Sequence, residues 1–203
     1  MKHLLFLIII MISMFSFSFG QEETITVNDP FFKKEHLFTG GTLNLGFGNN
    51  STSLGASPYF GYSLNRFLDV AGSIGINYFT QRDNIVMDDR LRQNIFTPGA
   101  FVRLFPIKFL FAQLHYEKNL INYHYIPALG STRNDDKQSY EADCWLGGVG
   151  ISNGKNFDYQ KSYYYFSILW DLGDAYYSPY KDNLRRNVPI IRAGYHIALF
   201  QKK

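Results

Sequence analysis

Residues 68–78 read Leu-Asp-Val-Ala-Gly-Ser-Ile-Gly-Ile-Asn-Tyr. Leu68, Val70, Ile74, Ile76 and Tyr78 share one parity, and Asp69, Ala71, Ser73, Gly75 and Asn77 share the other. Successive side chains of an extended chain point to opposite faces, so the stretch predicts a β-strand with one apolar face and one small, polar face. No helical period accounts for the same residues.

The same alternation recurs on both sides of it. Residues 37–48 put Leu43, Leu45 and Phe47 on one face, and residues 54–62 put Ala56, Pro58, Phe60 and Tyr62 together. Downstream, residues 93–104 and 109–118 repeat the pattern. Residues 141–151 are ambiguous in register because Gly147, Gly148 and Gly150 weaken the alternation. Residues 162–171 are dense in Tyr and Phe, and residues 188–200 set Ile191, Ala193, Tyr195, Ile197 and Leu199 against Arg192, Gly194, His196 and Ala198. About eight strands are expected, joined without crossover helices. The links after the second and fourth strands, at residues 64–66 and 105–107, read as tight turns. Those at residues 80–92, 119–140 and 172–187 read as long polar loops, and the link at 153–160 is of intermediate length.

The chain has 203 residues, enough for one domain, with 15 Tyr, 19 Phe and 18% charged residues. That charge fraction is below the roughly 25% of an average soluble domain. Its start is distinctive: Lys2 and His3 precede an apolar and Ser-containing run to Phe19, and Ser18-Phe19-Gly20 precedes Gln21. A basic start, a short apolar core and small residues before the cut describe a secretory signal peptide over residues 1–20. Residues 21–36 would form a periplasmic N-terminal segment, and residues 37–203 a β-barrel. Removing residues 1–20 takes away only Lys2 and leaves a net charge of about +2, too small a bias to imply nucleic acid as a partner. The single cysteine, Cys144, excludes an internal disulfide, and no cofactor or metal-ligand spacing exists.

No later segment is apolar for long enough to span a bilayer as a helix, so membrane insertion would require a closed barrel. The expected architecture is all-β: a transmembrane, up-and-down, antiparallel β-barrel behind a cleaved signal peptide. Both termini would be periplasmic, with the long loops outside. The alternative is a soluble, lipocalin-like, ligand-binding barrel with the faces reversed, although no Gly-x-Trp lies near the first strand. A third reading is a lipid-modifying outer-membrane enzyme, which would use His with Ser and an acid near the outer rim.

Pro58-Tyr59-Phe60-Gly61-Tyr62, the run from Val70 to Gly75, and the closing stretches 178–180 and 189–194 resemble small outer-membrane barrels of the OmpX and OmpA transmembrane-domain type. The resemblance implies outer-membrane lipids and lipopolysaccharide as surroundings. It also implies the barrel-assembly machinery as a partner during biogenesis, with Phe200 as the terminal aromatic that this machinery reads. No catalytic residue is assigned.

The residues worth following are inward charges. Asp69 and Arg103 fall on adjacent strands, as do Asp171 and Arg192, and His115, Glu117 and His196 share the polar face. Eight strands leave room only for side chains or one small ligand, so these seven predict a structural charge network filling the lumen. The loops, with Arg185-Arg186 at one tip, are the expected surface for an extracellular ligand whose identity the sequence leaves open. A general diffusion pore is not expected, since water-filled channels need about 16 strands.

Overall fold

In the computed structural model the described residues are 33–48, 50–83, 86–132, 134–156, 161–181 and 185–200. The expected signal peptide lies outside them. The strands are β1 (Leu37–Gly48), β2 (Ser51–Ser63), β3 (Leu68–Arg82), β4 (Arg90–Ile107), β5 (Leu110–Ile126), β6 (Asp136–Ser152), β7 (Tyr163–Asp171) and β8 (Ile190–Ala198). Each pairs antiparallel with its sequence neighbour. β8 returns to β1 in a register running from Phe38 opposite Ala198 to Leu43 opposite Ala193, which closes the barrel. The only helical element among the described residues is one 3-10 turn, Lys34–His36. It docks on the barrel: the Lys33 N–H donates to Tyr62 Oη at 3.1 Å, and His36 Nδ1 lies 2.8 Å from the Ser63 carbonyl oxygen.

The apolar faces point outward. Leu43, Leu54, Phe60, Ile74, Ile76, Val102, Leu114, Val149, Ile151 and Ile191 are all exposed on the outer wall, while Thr42, Ser57, Asp69, Ser73, Arg103, Gln113 and Glu117 are buried within. The uncertain sixth strand is settled: Ala142, Cys144 and Leu146 face in, and Trp145, Val149 and Ile151 face out.

Five strands, β2 to β6, run further toward the loop end than their alternation predicted. β4 starts at Arg90, β5 continues to Ile126 and β6 starts at Asp136, so the expected loop at 119–140 shrinks to residues 127–135. The reason is a reversal of polarity along the strands. Near the loops the inward side chains become apolar (Leu91, Ile95, Ile121 and Tyr125), while Asn94, Asn122, Ser139 and Glu141 are exposed outside. On each strand the outward face changes just beyond an aromatic side chain. Thr80 and Arg82 follow Tyr78; Asn94 and Arg92 lie beyond Phe96; Lys118 follows Tyr116; Asp143 and Glu141 lie beyond Trp145. Two polar contacts lace this upper zone, Tyr116 Oη to Asp143 at 2.7 Å and Lys118 to Glu141 at 2.9 Å.

At the opposite end the expected turn at 105–107 belongs to β4. The register shifts between Leu104 and Ile107, and the turn itself is at residues 108–109. Pro106 carries no N–H, so a bulge accommodates it without ending the strand. β8 stops at Ala198, and Phe200 lies beyond it with φ 53.

Gly148 is where β6 and β7 come closest. A Cβ there would collide with the Ile168 carbonyl and the Leu169 backbone, whereas a Cβ on Gly72 would meet nothing nearer than the Gly99 carbonyl at 4.0 Å. Gly148→Val is therefore expected to cost at least about 1–3 kcal/mol of stability in urea unfolding, and Gly72→Ala less than about 0.5 kcal/mol.

Candidate functional site

The lumen is solid for most of its height. Its floor, at the end carrying the chain termini, is aromatic: Phe38, Phe105, Phe111 and Tyr163 are essentially inaccessible. His196 lies in this layer between Tyr163, stacked at 4.4 Å, and Phe38, also at 4.4 Å. Neither of its ring nitrogens has a hydrogen-bond partner. It therefore packs as an aromatic ring and takes no part in the charge network predicted from the sequence.

Asp69 and Arg103 stand opposite one another in the β3–β4 register but are not partners. Asp69 takes both carboxylate oxygens to Lys155 Nζ at 2.7 Å and accepts from Ser63 Oγ at 2.6 Å. Lys155 comes from the β6–β7 connection, reaches under the barrel and also sits 4.6 Å from the Phe105 ring centroid. Burial pushes its ammonium below the ordinary range, and the Asp69 carboxylate pulls it back up. Sequence reading passed over Lys155 because a lysine in a turn is ordinarily solvated; only barrel closure brings it under the lumen.

Arg103, fully buried, occupies an aromatic cage. Its guanidinium lies 4.0 Å from the Tyr165 centroid and 4.4 Å from that of Phe101, and its Nε donates to Gln113 Oε1 at 2.8 Å. Desolvated cation–π contacts are worth about 2 kcal/mol, which is how a planar cation is held here without a carboxylate.

Above the cage sits the third group. Arg192 bonds Glu117 Oε1 at 2.8 Å and reaches His115 Nδ1 at 3.0 Å, while His115 Nε2 lies 3.1 Å from Ser73 Oγ and Nδ1 is 3.3 Å from Glu117. The distances outline a Ser–His–acid sequence in which His115 Nδ1 lies between an Arg192 donor and the Glu117 carboxylate, and Ser73, His115 and Glu117 are all buried.

Among the described residues Asp171 pairs with neither Arg192 nor any other cation. It accepts from Ser178 Oγ and from the Gly173 N–H at 2.9 Å, and its carbonyl accepts from Asn187 Nδ2 at 2.7 Å. These bonds hold residues 172–181 and 185–189 at the barrel mouth. Tyr180 inserts deepest, donating its hydroxyl to Glu117, while Ala175, Tyr180 and Ile190 pack on Ala142, Cys144, Leu146 and Leu169. Cys144 is buried among Ala142, Leu146 and Leu169, with its sulfur 3.5 Å from the Ser178 hydroxyl, as expected of a packing residue. At the loop tip, Arg185 is engaged by Asp174 at 3.3 Å and lies 5.0 Å from the Tyr176 ring. Lys181, at 2.8 Å, and Arg185 together hold the Asp174 carboxyl below its ordinary range.

Between this inserted loop and the tall β3–β5 wall lies an open cup of about 760 Å³. Its base carries Asn44, Asn77 and Asn119, and its sides carry Gln93, Tyr123 and Tyr177. Asn44 Nδ2 donates to Asn77 Oδ1 at 3.2 Å, and Asn77 fits only because Gly55 beside it has no Cβ. Asn119 is completely buried; its Oδ1 accepts from Thr97 at 3.1 Å, and its Nδ2 has only the weakly accepting Cys144 sulfur beside it. Asn44 Oδ1 is likewise unpartnered. A second concavity of about 570 Å³, bordered by Leu43, Tyr164 and Tyr195, opens on the outer wall and belongs to the apolar belt. Among the described residues no cluster of His, Cys, Asp and Glu is arranged to hold a metal ion.

Breaking the Glu117–Arg192 pair from one side leaves a buried charge alone. Arg192→Met is expected to cost about 3–5 kcal/mol, and the double variant Glu117→Leu/Arg192→Met to recover most of it, in equilibrium urea unfolding followed by circular dichroism. His196→Phe removes two unsatisfied nitrogens and keeps the stack, so its stability should equal or exceed the parent's to within about 1 kcal/mol.

No protein-family model matches the chain, and no curated protein matches it. The assignment of function therefore rests on the barrel's own geometry and chemistry.

Proposed function

We propose that the chain is an integral outer-membrane β-barrel of the small OmpX/OmpA-like kind, non-catalytic, which presents its long loops and cup at the cell surface. The observation carrying this reading is the change of solvent along the outer wall. The lower wall is apolar all round, an aromatic side chain marks the boundary on β3, β4, β5 and β6, and charged and amide side chains follow beyond it. Outer-membrane barrels have this sequence of zones, an apolar band flanked by aromatic girdles with polar strands and loops above. A soluble lipocalin-like barrel would be polar outside over its whole height. The lumen supports the same reading, because buried carboxylates and guanidinium groups do not form an apolar ligand cavity.

In this reading the polar upper zone stands in water outside the cell, and both termini lie in the periplasm. Residues 1–20 direct export, lipid and lipopolysaccharide surround the belt, and Phe200 is offered to the assembly machinery. The outward orientation of the cup follows from the length of the loops at that end.

Two measurements test this. The protein should fractionate with outer membranes, begin at Gln21 by mass spectrometry and migrate differently before and after boiling; recovery as a soluble periplasmic protein with no gel shift would sink the proposal. Ile74→Arg, in the apolar belt, should cost about 2–4 kcal/mol for the barrel folded in lipid vesicles. In a water-exposed wall the same change would stay within about 0.5 kcal/mol.

A further inference from the structure

We infer that the cup at the loop end is a binding site for an uncharged saccharide. The inference deepens the surface-binding part of the proposed function, and rests on it only in assuming that this end meets external ligands.

Three observations carry it. The first is the base of the cup. Asn119 is completely buried and lines the cavity, yet its Nδ2 has no partner stronger than the neighbouring Cys144 sulfur, a weak acceptor. Asn44 Oδ1 is a second orphan on the same base. An unmet buried amide donor and acceptor each cost about 1–3 kcal/mol, a cost that a ligand carrying both functions would remove. The hydroxyls of a sugar supply both functions, an oxygen to accept from Asn119 Nδ2 and a proton for Asn44 Oδ1.

The second is charge. The cationic side chains lining the cup are Lys181 and Arg192, and each is already matched, Lys181 by Asp174 at 2.8 Å and Arg192 by Glu117 at 2.8 Å. The remaining polar lining is neutral amide and hydroxyl. Among the described residues an anionic ligand would meet no cation that lacks a carboxylate partner, and a cationic one no carboxylate in the lining.

The third is the aromatic wall. Tyr140 stacks on Tyr177 at 4.3 Å and meets Tyr123 edge-on at 6.3 Å, so a cluster of rings borders the amide base. Flat rings with slightly negative faces suit the C–H-rich faces of a pyranose, and adjacent amides suit its hydroxyl edges. At about 760 Å³ the cup lies within the roughly 300–1,000 Å³ range of small-ligand sites and has room for more than one sugar ring.

The test uses the full chain folded in micelles of a detergent without a sugar headgroup. Maltotriose and triacetylchitotriose are the neutral probes, with trigalacturonate as the charged comparison. Saturation-transfer NMR and calorimetry should detect binding of at least one neutral trisaccharide and weaker binding of trigalacturonate. Asn119→Leu and Tyr123→Ala should each weaken that binding by about tenfold or more while the boiled-versus-unboiled gel shift persists. If Asn119→Leu does not fold, Tyr123→Ala and Gln93→Ala on the cup wall carry the test. Absence of binding by both neutral probes, tighter binding of the charged one, or unchanged affinity in the folded variants would overturn the inference. The titration is independent of cellular location, so failure of the fractionation experiment and failure of this one are separately readable.

Discussion

Closure of the sheet is the constraint on which everything else depends. Once β8 pairs with β1, no edge is left, but the ring encloses a space about one side chain wide that must be filled. Bulk and charge are therefore layered inside it: an aromatic floor, the caged Arg103, then the Arg192–Glu117–His115 group. Each buried charge is compensated by a different device. Asp69 has an ammonium from a turn, Arg103 has ring faces, and Glu117 has a guanidinium and a tyrosine hydroxyl. The filled lumen leaves no room for a general diffusion channel.

The outer wall of the sheet has two zones of different polarity. Along β4, β5 and β6 the outward side chains change from apolar to polar while the inward ones change the other way. A strand that obeyed one alternation over its full length would be compatible with one solvent only. The reversal separates a lower wall suited to hydrocarbon from an upper wall suited to water, and Tyr78, Phe96, Tyr116 and Trp145 stand where the two meet.

Residues 172–181 and 187 join the two zones. Their bonds through Asp171, Ser178 and Asn187 bring Tyr180 down onto Glu117, which both closes the lumen and forms one side of the cup. The buried charge group and the cup thus meet at Tyr180 and Arg192, while Ser73 and His115 are buried.

The sequence by itself determined the strand class, a count of about eight strands, and which side chains share a face over most of the chain, while which face turns outward was decided by the closed barrel. Period-2 alternation is a local property, so it is legible without knowing what any strand touches. It failed where the alternation reverses polarity, at residues 119–126 and 136–140, since apolar-in and polar-out there reads as a charged loop. Only the tertiary structure decided the partners. Asp69 with Lys155, Arg103 with its rings, and Glu117 with Tyr180 are far apart in sequence, and each pairing exists because barrel closure sets the distances inside the lumen. The unmatched amides of Asn119 and Asn44 belong to the same class: an unsatisfied group is a property of its surroundings, which no single residue specifies.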